Sequence, residues 1–239
     1  MIMLRSVLFY LGYSLVTLFW GTLSVLVGWA LPYRARFLFI IGVWTRVCLW
    51  WLKVICGIRA EIIGREHIPE KPCVVLCRHE STWETLFLQT LLAPQATIIK
   101  RELLWIPFFG WAFALNKPIA IDRGTPRSAL KRLIAVGRAR LAERIWVVLF
   151  PEGTRMPPDT MGRFQVGGAA LATAADAEVL VIAHNAGNYW PAHQLAKTAG
   201  IIQVKIMPPI RTNGRASKEI VAEAEALMAE GQRTLEGRR

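Results

Sequence analysis

Two long apolar stretches dominate the first sixty residues of the chain. Residues 6–33 contain no charged side chain. As a helix, the apolar run 7–31 would exceed the roughly 30 Å of bilayer hydrocarbon. A cleaved signal peptide is the alternative, with Gly28 and Ala30 near a possible cleavage site. Because its charged start would contain only Arg5 and its apolar core would be too long, we predict a retained membrane segment.

The second apolar stretch, residues 37–58, has a different character. Arg46 and Lys53 lie seven positions apart and so share one face of a helix, while the other positions carry aliphatic side chains and three tryptophans (Trp44, Trp50 and Trp51). Tryptophan beside basic residues is typical of the headgroup region of a membrane. This pattern fits a helix that crosses the membrane, turns back or lies along its surface.

After Gly57 the pattern changes to short β-rich runs that alternate with helical ones. The predicted strands are 73–78, 96–100, 118–122, 145–150, 178–183 and 201–207. The predicted helices are 82–93, 102–115, 126–142, 165–176 and 217–235. We therefore predict membrane-associated helices over 1–57 and, over 58–239, an α/β domain with a mostly parallel or mixed sheet flanked by helices.

The basic residues are unevenly distributed. The net charge is +12, and residues 1–60 carry six basic side chains and no acidic one. Basic residues beside apolar helices indicate anionic lipid and a cytoplasmic side, so we predict an inner-membrane protein whose α/β domain faces the cytoplasm. The segment 123–144 is also strongly basic and fits lipid headgroups, another acidic partner or only solvent. Because no recognised nucleic-acid module is present, we predict no nucleic-acid partner.

The four cysteines predict neither a metal site nor a disulfide framework. Cys48 and Cys56 lie in the apolar region, and Cys73 and Cys77 lie on one face of a predicted strand. Zinc would need a second pair or histidines at ligand spacing. We expect buried, reduced thiols.

The candidate chemistry lies where predicted strands end. His79, Lys100, Arg123 and the turn 150–155 each end or directly follow a strand. Ligands in such sheets bind beyond the carboxyl ends of the strands, so these residues are expected to converge on one site.

His79 and Glu84 form the first candidate pair. They meet only if His79 lies outside the helix that contains Glu84 and folds back towards it. A neutral imidazole can then take a hydroxyl proton, and a carboxylate on its other nitrogen stabilises the imidazolium. The alternative is an ordinary helix start with Glu84 near the positive end of the helix dipole. Since the chain lacks a Gly-x-Ser-x-Gly elbow, direct attack by a substrate hydroxyl is simpler than a covalent enzyme intermediate.

The turn FPEGTR (150–155) fits an oxyanion such as phosphate. Gly153 permits a tight turn, Thr154 supplies a hydroxyl and Arg155 a planar fork of donors. An exposed turn without a ligand is the alternative. Positive charge at Lys100 and Arg123 favours a phosphate-bearing substrate.

Four segments resemble the glycerophospholipid acyltransferases, and in particular the bacterial 1-acyl-sn-glycerol-3-phosphate acyltransferases. They follow the order and approximate spacing of that family, and the resemblance covers residues 58–190. The segments are HESTWE (79–84), KRELLWIPFFG (100–110), IDR (121–123) and FPEGTR (150–155).

This resemblance implies a reaction and a set of roles. The family transfers a fatty acyl group from acyl-CoA or acyl-carrier protein, with no other cofactor, to the 2-hydroxyl of lysophosphatidic acid, giving phosphatidic acid. His79 is then the general base and Glu84 its orienting carboxylate. The acceptor-binding residues are then Arg123, Glu152, Gly153, Thr154 and Arg155, with Lys100 for charge stabilisation. The alternatives are another lysophospholipid acceptor, hydrolysis of a lipid or thioester by the same His–Glu pair, and a non-catalytic lipid-binding membrane protein.

The chain departs from the family pattern at three places. Glu84 replaces the commoner aspartate, Lys117 and Pro118 stand where glycine usually precedes IDR, and Glu178 and Val181 stand where prolines are expected. The second departure indicates a different acceptor loop, and the third leaves the acyl-donor side less defined than the His79 side. His184, in the last of these segments, is predicted to be structural.

Overall fold

The chain begins with two helical stretches that are long and apolar enough to cross a membrane. A computed structural model describes residues 1–122, 124–158 and 160–236. Helix α1 (Ile2–Val27) continues into a 3-10 turn and reaches Ala30. The second stretch, Tyr33–Cys56, is helical throughout. It consists of α2 (Tyr33–Phe37), a π-helical segment (Leu38–Val43) and α3 (Trp44–Cys56).

Helix α3 packs one face onto the rest of the protein. Its buried apolar side chains recur at helical spacing, while Arg46 and Lys53 are exposed, as their shared face predicts. The buried set is Trp44, Cys48, Leu52 and Cys56. Because protein covers this face, lipid can reach only the remaining faces of α3. All four cysteines are buried, as expected from the sequence.

A seven-stranded mixed sheet forms the centre of the domain. Its strands are β1 (Ile58–Ile63), β2 (Val74–Cys77), β3 (Gln95–Lys100), β4 (Ile119–Ile121), β5 (Trp146–Leu149), β6 (Val179–His184) and β7 (Gly200–Ile206). The strand order is β1-β7-β6-β2-β5-β3-β4; the β6–β7 pair is antiparallel, and the other neighbouring strands pair in parallel. The predicted fold class is confirmed.

Helices cover both faces of the sheet, which explains the continuous apolar strands. They are α4 (Trp83–Leu91), α5 (Phe109–Ala114), α6 (Pro126–Ala142), α7 (Gly167–Ala175) and α8 (Ser217–Glu236). In β2, Val75 and Cys77 join the apolar core with α1, α3 and α4. Val74 and Leu76 join the opposite core with α6, α7 and α8. The apolar helices therefore pack mainly on one face of the sheet, and Tyr33, at the start of α2, also packs against the opposite core.

The structure differs from the predicted elements at two places. Strand β1 was not predicted because, as an edge strand, it exposes three consecutive residues, Arg59 to Glu61. The predicted helix 102–115 is instead a 3-10 turn (Arg101–Trp105) followed by α5. Pro107 lacks an N–H, and Phe108 takes a φ of 62°, so no continuous α-helix passes through them.

Candidate active site

His79 lies just beyond the carboxyl end of β2. This strand pairs with β5 on one side and β6 on the other, so its end lies in the middle of the sheet rather than at an outer strand. Helix α4 begins at Trp83, whose N–H donates to the Ser81 hydroxyl (3.1 Å). His79 therefore stands outside α4, which is the position that the pairing with Glu84 requires.

Glu84 folds back from α4 and holds the imidazole. Its Oε1 lies 2.7 Å from Nδ1 of His79 and also accepts from the N–H groups of Glu80 (3.2 Å) and Ser81 (2.9 Å). A carboxylate only accepts, so Nδ1 carries the hydrogen and Nε2 remains to take a proton. The side chain of His79 is 16% exposed and that of Glu84 only 1%. The ring can thus meet a substrate while its partner stays protected from water.

The turn after β5 wraps around His79. The ring of Phe150 stacks on the imidazole at a centroid distance of 4.1 Å and an angle of 17°. Gly153 takes a φ of 75°, and its N–H donates to the Phe150 carbonyl (3.1 Å). The N–H of Met156 donates to the His79 carbonyl (2.7 Å). The predicted convergence of His79 with the 150–155 turn is therefore present.

Glu152 lies inside the site and supports the backbone of His79. Its Oε2 accepts from the N–H of His79 (2.9 Å), and Arg78 lies 3.9 Å from Oε1. Burial raises the pKa of Glu152 to about 7, against the opposing effects of the His79 N–H and the Arg78 charge. The structure thus gives Glu152 a partner within the protein, while its predicted contact with the acceptor stays a prediction.

Glu152→Gln tests this burial through the pH dependence of stability. Native Glu152 keeps its proton up to about pH 7, whereas the unfolded side chain loses it near its ordinary pKa of 4.5. Between these values the native state binds more protons, so Glu152 lowers stability by up to about 1.4 kcal/mol per pH unit as the pH rises. In detergent, we expect the melting temperature of the variant, relative to that of the wild type, to rise as the pH is raised from 4.5 to 7. A difference in melting temperature that stays the same at every pH would contradict the raised pKa of Glu152.

The other predicted site residues occupy more exposed positions. Thr154 is exposed, and Arg155 is half-buried. The Nε of Arg155 is buried without a hydrogen-bond partner among the described residues. Lys100 is exposed at the end of β3, one strand beyond β5. Arg123 lies outside the described residues.

A buried ion pair beneath His79 was missed in the sequence. Arg78 is 1% exposed and pairs with Glu80, whose Oε2 accepts from the Gly187 N–H (2.9 Å). The guanidinium also donates from Nη2 to three carbonyls of the segment after the FPEGTR turn, at Pro157 (3.0 Å), Pro158 (2.7 Å) and Thr160 (2.9 Å). It therefore holds this segment against the end of β2. An arginine directly after four apolar strand residues was the available signal, since such a position is rarely solvated.

His184 is a structural residue in this network. Its Nε2 donates to the Arg78 carbonyl (2.9 Å), and its Nδ1 accepts from the Ala186 N–H (3.2 Å). Both ring nitrogens are occupied by the backbone, and the side chain is 1% exposed. This geometry agrees with the structural role predicted for His184.

Lys117, at one departure from the family pattern, takes a backbone conformation that glycine adopts readily. It takes a φ of 56°, in the left-handed region that favours the glycine usual there. Its Nζ forms an ion pair with Glu143 and lies 4.8 Å from the centre of the Tyr33 ring. These contacts hold a conformation that is otherwise costly for a lysine.

Comparison with known proteins identifies the family. The sequence model described as Acyltransferase matches residues 59–185, which include His79, Glu84 and the 150–155 turn. The chain belongs to the acyltransferase family. It is 51% identical over 230 residues to the 1-acyl-sn-glycerol-3-phosphate acyltransferase of Pseudomonas aeruginosa, covering 95% of this chain and 90% of that protein.

A more distant relative and a solved structure agree with this family. The 1-acyl-sn-glycerol-3-phosphate acyltransferase alpha of Homo sapiens is 31% identical over 183 residues, covering 75% of this acyltransferase and 65% of the human protein. The crystal structure of the 1-acyl-sn-glycerophosphate (LPA) acyltransferase PlsC from Thermotoga maritima matches with a TM-score of 0.83. That match covers 100% of this chain and 97% of the other at 20% identity, so it supports the fold alone.

Proposed function

We propose that this acyltransferase acylates the 2-hydroxyl of 1-acyl-sn-glycerol-3-phosphate, with acyl-CoA or acyl-carrier protein as donor, and forms phosphatidic acid for phospholipid synthesis. The observation that carries the proposal is the buried Glu84 carboxylate 2.7 Å from Nδ1 of a partly exposed His79. The 51% identity to the Pseudomonas aeruginosa enzyme supports the choice of acceptor.

In the proposed reaction, Nε2 of His79 acts as general base. It takes the proton of the acceptor hydroxyl as that oxygen attacks the thioester carbonyl, and the Glu84 charge stabilises the imidazolium that forms. The tetrahedral intermediate then collapses, the C–S bond breaks and the thiolate leaves. The imidazolium returns its proton to the sulfur. The products are the ester and the free thiol of CoA or carrier protein, and His79 ends neutral.

The phosphate of the acceptor is proposed to bind at the outer side of the turn. Thr154 is exposed there, and Arg155 has an Nε without a hydrogen-bond partner in the described part of the chain. A guanidinium binds phosphate through parallel N–H donors, so Arg155 can bind the phosphate of the acceptor beside His79. Arg123, Lys100, Glu152 and Gly153 complete the proposed set.

The apolar helices are proposed to keep this site at the surface of the membrane. Acceptor and product both carry acyl chains that partition into the bilayer, so the reacting hydroxyl stays near the headgroups. Phe150, at the start of the turn, and Phe9 of α1 belong to the same apolar cluster, which supports a site near the first apolar helix. We propose the cytoplasmic face of the inner membrane as the location.

Product analysis tests the function directly. Purified full-length protein in detergent receives acyl-CoA or acyl-carrier protein labelled in the acyl chain, with and without 1-acyl-sn-glycerol-3-phosphate. We expect labelled phosphatidic acid only when the acceptor is present, because the hydroxyl is the nucleophile. A panel of other lysophospholipids serves as the acceptor control, and the donor pair identifies the preferred thioester.

Two results would contradict the proposal. Labelled free fatty acid released at the same rate without acceptor would show a hydrolase that uses water in place of the lipid hydroxyl. Faster labelling of a lysolipid with another headgroup would show that the acceptor is wrong while the acyltransferase chemistry stands.

A further inference from the structure

The acyltransferase domain exposes a group of large apolar side chains outside its two apolar helices. The exposed fractions are 70% for Trp105, 48% for Trp111, 44% for Ile106 and 40% for Leu103. We call these four residues the Trp105 patch. Single apolar side chains on a surface are ordinary, but four within nine positions mark an interaction site.

The Trp105 patch is held as a fixed surface. Gly110 lets the 3-10 turn approach α5 closely, because a Cβ there would lie 2.5 Å from the Leu103 carbonyl oxygen. On the other side of this contact, the rings of Phe108 and Trp111 are 5.6 Å apart. The turn and α5 thus present their outward side chains together, and the patch is not a loose loop.

The patch is continuous with the apolar helices. Gly21 of α1 packs against Phe108, since a Cβ on Gly21 would lie 3.3 Å from the Phe108 backbone. The ring of Phe109 lies 5.7 Å from that of Trp44 in α3. Leu18, three positions before Gly21 and on the same side of α1, is exposed. The Trp105 patch therefore borders the surface by which α1 meets lipid.

We propose that the Trp105 patch inserts into the headgroup boundary of the membrane and gives the catalytic domain its own lipid contact. Tryptophan suits this boundary, where one edge of the ring stays wet. Lys100 and Arg101 are exposed directly before the patch and fit anionic headgroups. The proposal rests on membrane association within the proposed function and not on acyl transfer.

Lipid is favoured over a protein partner by the position of the patch. A second copy of the chain or a carrier protein bound there would have to approach beside α1, whose exposed side is already apolar over most of its length. An acidic carrier protein would also meet four large apolar side chains beside the two basic residues, Lys100 and Arg101. A protein partner is therefore the alternative that the quenching experiment below distinguishes from lipid.

A fluorophore at position 105 tests this proposal without using turnover. All four native cysteines are buried, so Trp105→Cys provides one accessible thiol for a polarity-sensitive label. The full chain is reconstituted in phosphatidylglycerol-containing vesicles, with spin-labelled lipid or aqueous iodide as quencher. The matched control is Ala226→Cys, at an exposed position on α8, across the sheet from α1 and α3. Trp111→Cys provides a second site if the first variant folds poorly.

Three outcomes are distinguished. We expect a blue-shifted label at position 105 that spin-labelled lipid quenches and iodide does not, whereas the label at 226 shows the opposite. Quenching by iodide at both positions would overturn the proposal, because the patch would face water. Protection from both quenchers at 105 would also overturn it and indicate a protein partner. Product analysis is independent, so failure of the catalytic proposal would leave this result unchanged.

Discussion

Replacement of His79 by alanine is expected to lower kcat for acyl transfer by about 10²–10⁴-fold, with little change in either KM. Positioned general-base catalysis contributes an effect of this size. The imidazole is the group that Glu84 holds at 2.7 Å, whereas the proposed phosphate contacts lie on the neighbouring turn. The alanine variant therefore keeps substrate binding and loses proton transfer. Initial rates with varied donor and acceptor separate kcat from KM.

The main-chain contacts of His79 allow the effect of losing its imidazole to be measured separately from a loss of structure. The Glu152 carboxylate and the Met156 N–H bind main-chain atoms of His79, so these contacts survive the loss of the ring. The stacking on Phe150 is lost, and a thermal melt shows whether the variant remains folded. His193→Asn is the matched control, because His193 is exposed at a φ of 60°, which asparagine tolerates. Turnover retained in His79→Ala would reject the mechanism.

The convergence of His79 with the 150–155 turn was predictable from the sequence because both follow strands. A parallel sheet brings the carboxyl ends of its strands to one edge, so a histidine after β2 and a turn after β5 are placed near each other whatever the loops do. The strand order determines the distance between such residues. β2 and β5 are direct neighbours and their ends touch, whereas Lys100 lies one strand further out and is exposed.

Features that depend on distant contacts were not predictable in the same way. Arg78 binds carbonyls of the 157–160 segment, and Glu80 binds the Gly187 N–H, so each role exists only once the chain has folded. Strand β1 shows the same limit, because its exposed residues carry no apolar pattern and its place comes from pairing with β7. Pattern arguments work where burial is continuous and fail at edges and in polar networks.

Replacement of Glu84 by glutamine is expected to lower kcat by roughly 10–10³-fold while the acceptor KM changes little. An opposite charge about 4 Å away at an effective dielectric constant near 20 is worth at most about 4 kcal/mol, and each 1.4 kcal/mol is tenfold in rate. The three hydrogen bonds to Glu84 all reach Oε1, so the amide oxygen of glutamine can accept them and keep the ring in place. What the variant loses is the charge that stabilises the imidazolium.

Glu84→Asp separates the effect of the negative charge from the effect of side-chain length. Aspartate is the commoner residue of the family at this position, and it keeps the negative charge with one methylene fewer. We expect a smaller loss of kcat than for glutamine, because a modest shift of the helix start can restore the contact to Nδ1. Steady-state kinetics of both variants give the comparison. If Glu84→Gln instead raised the acceptor KM and left kcat intact, the carboxylate would bind the lipid and another group would have to stabilise the imidazolium.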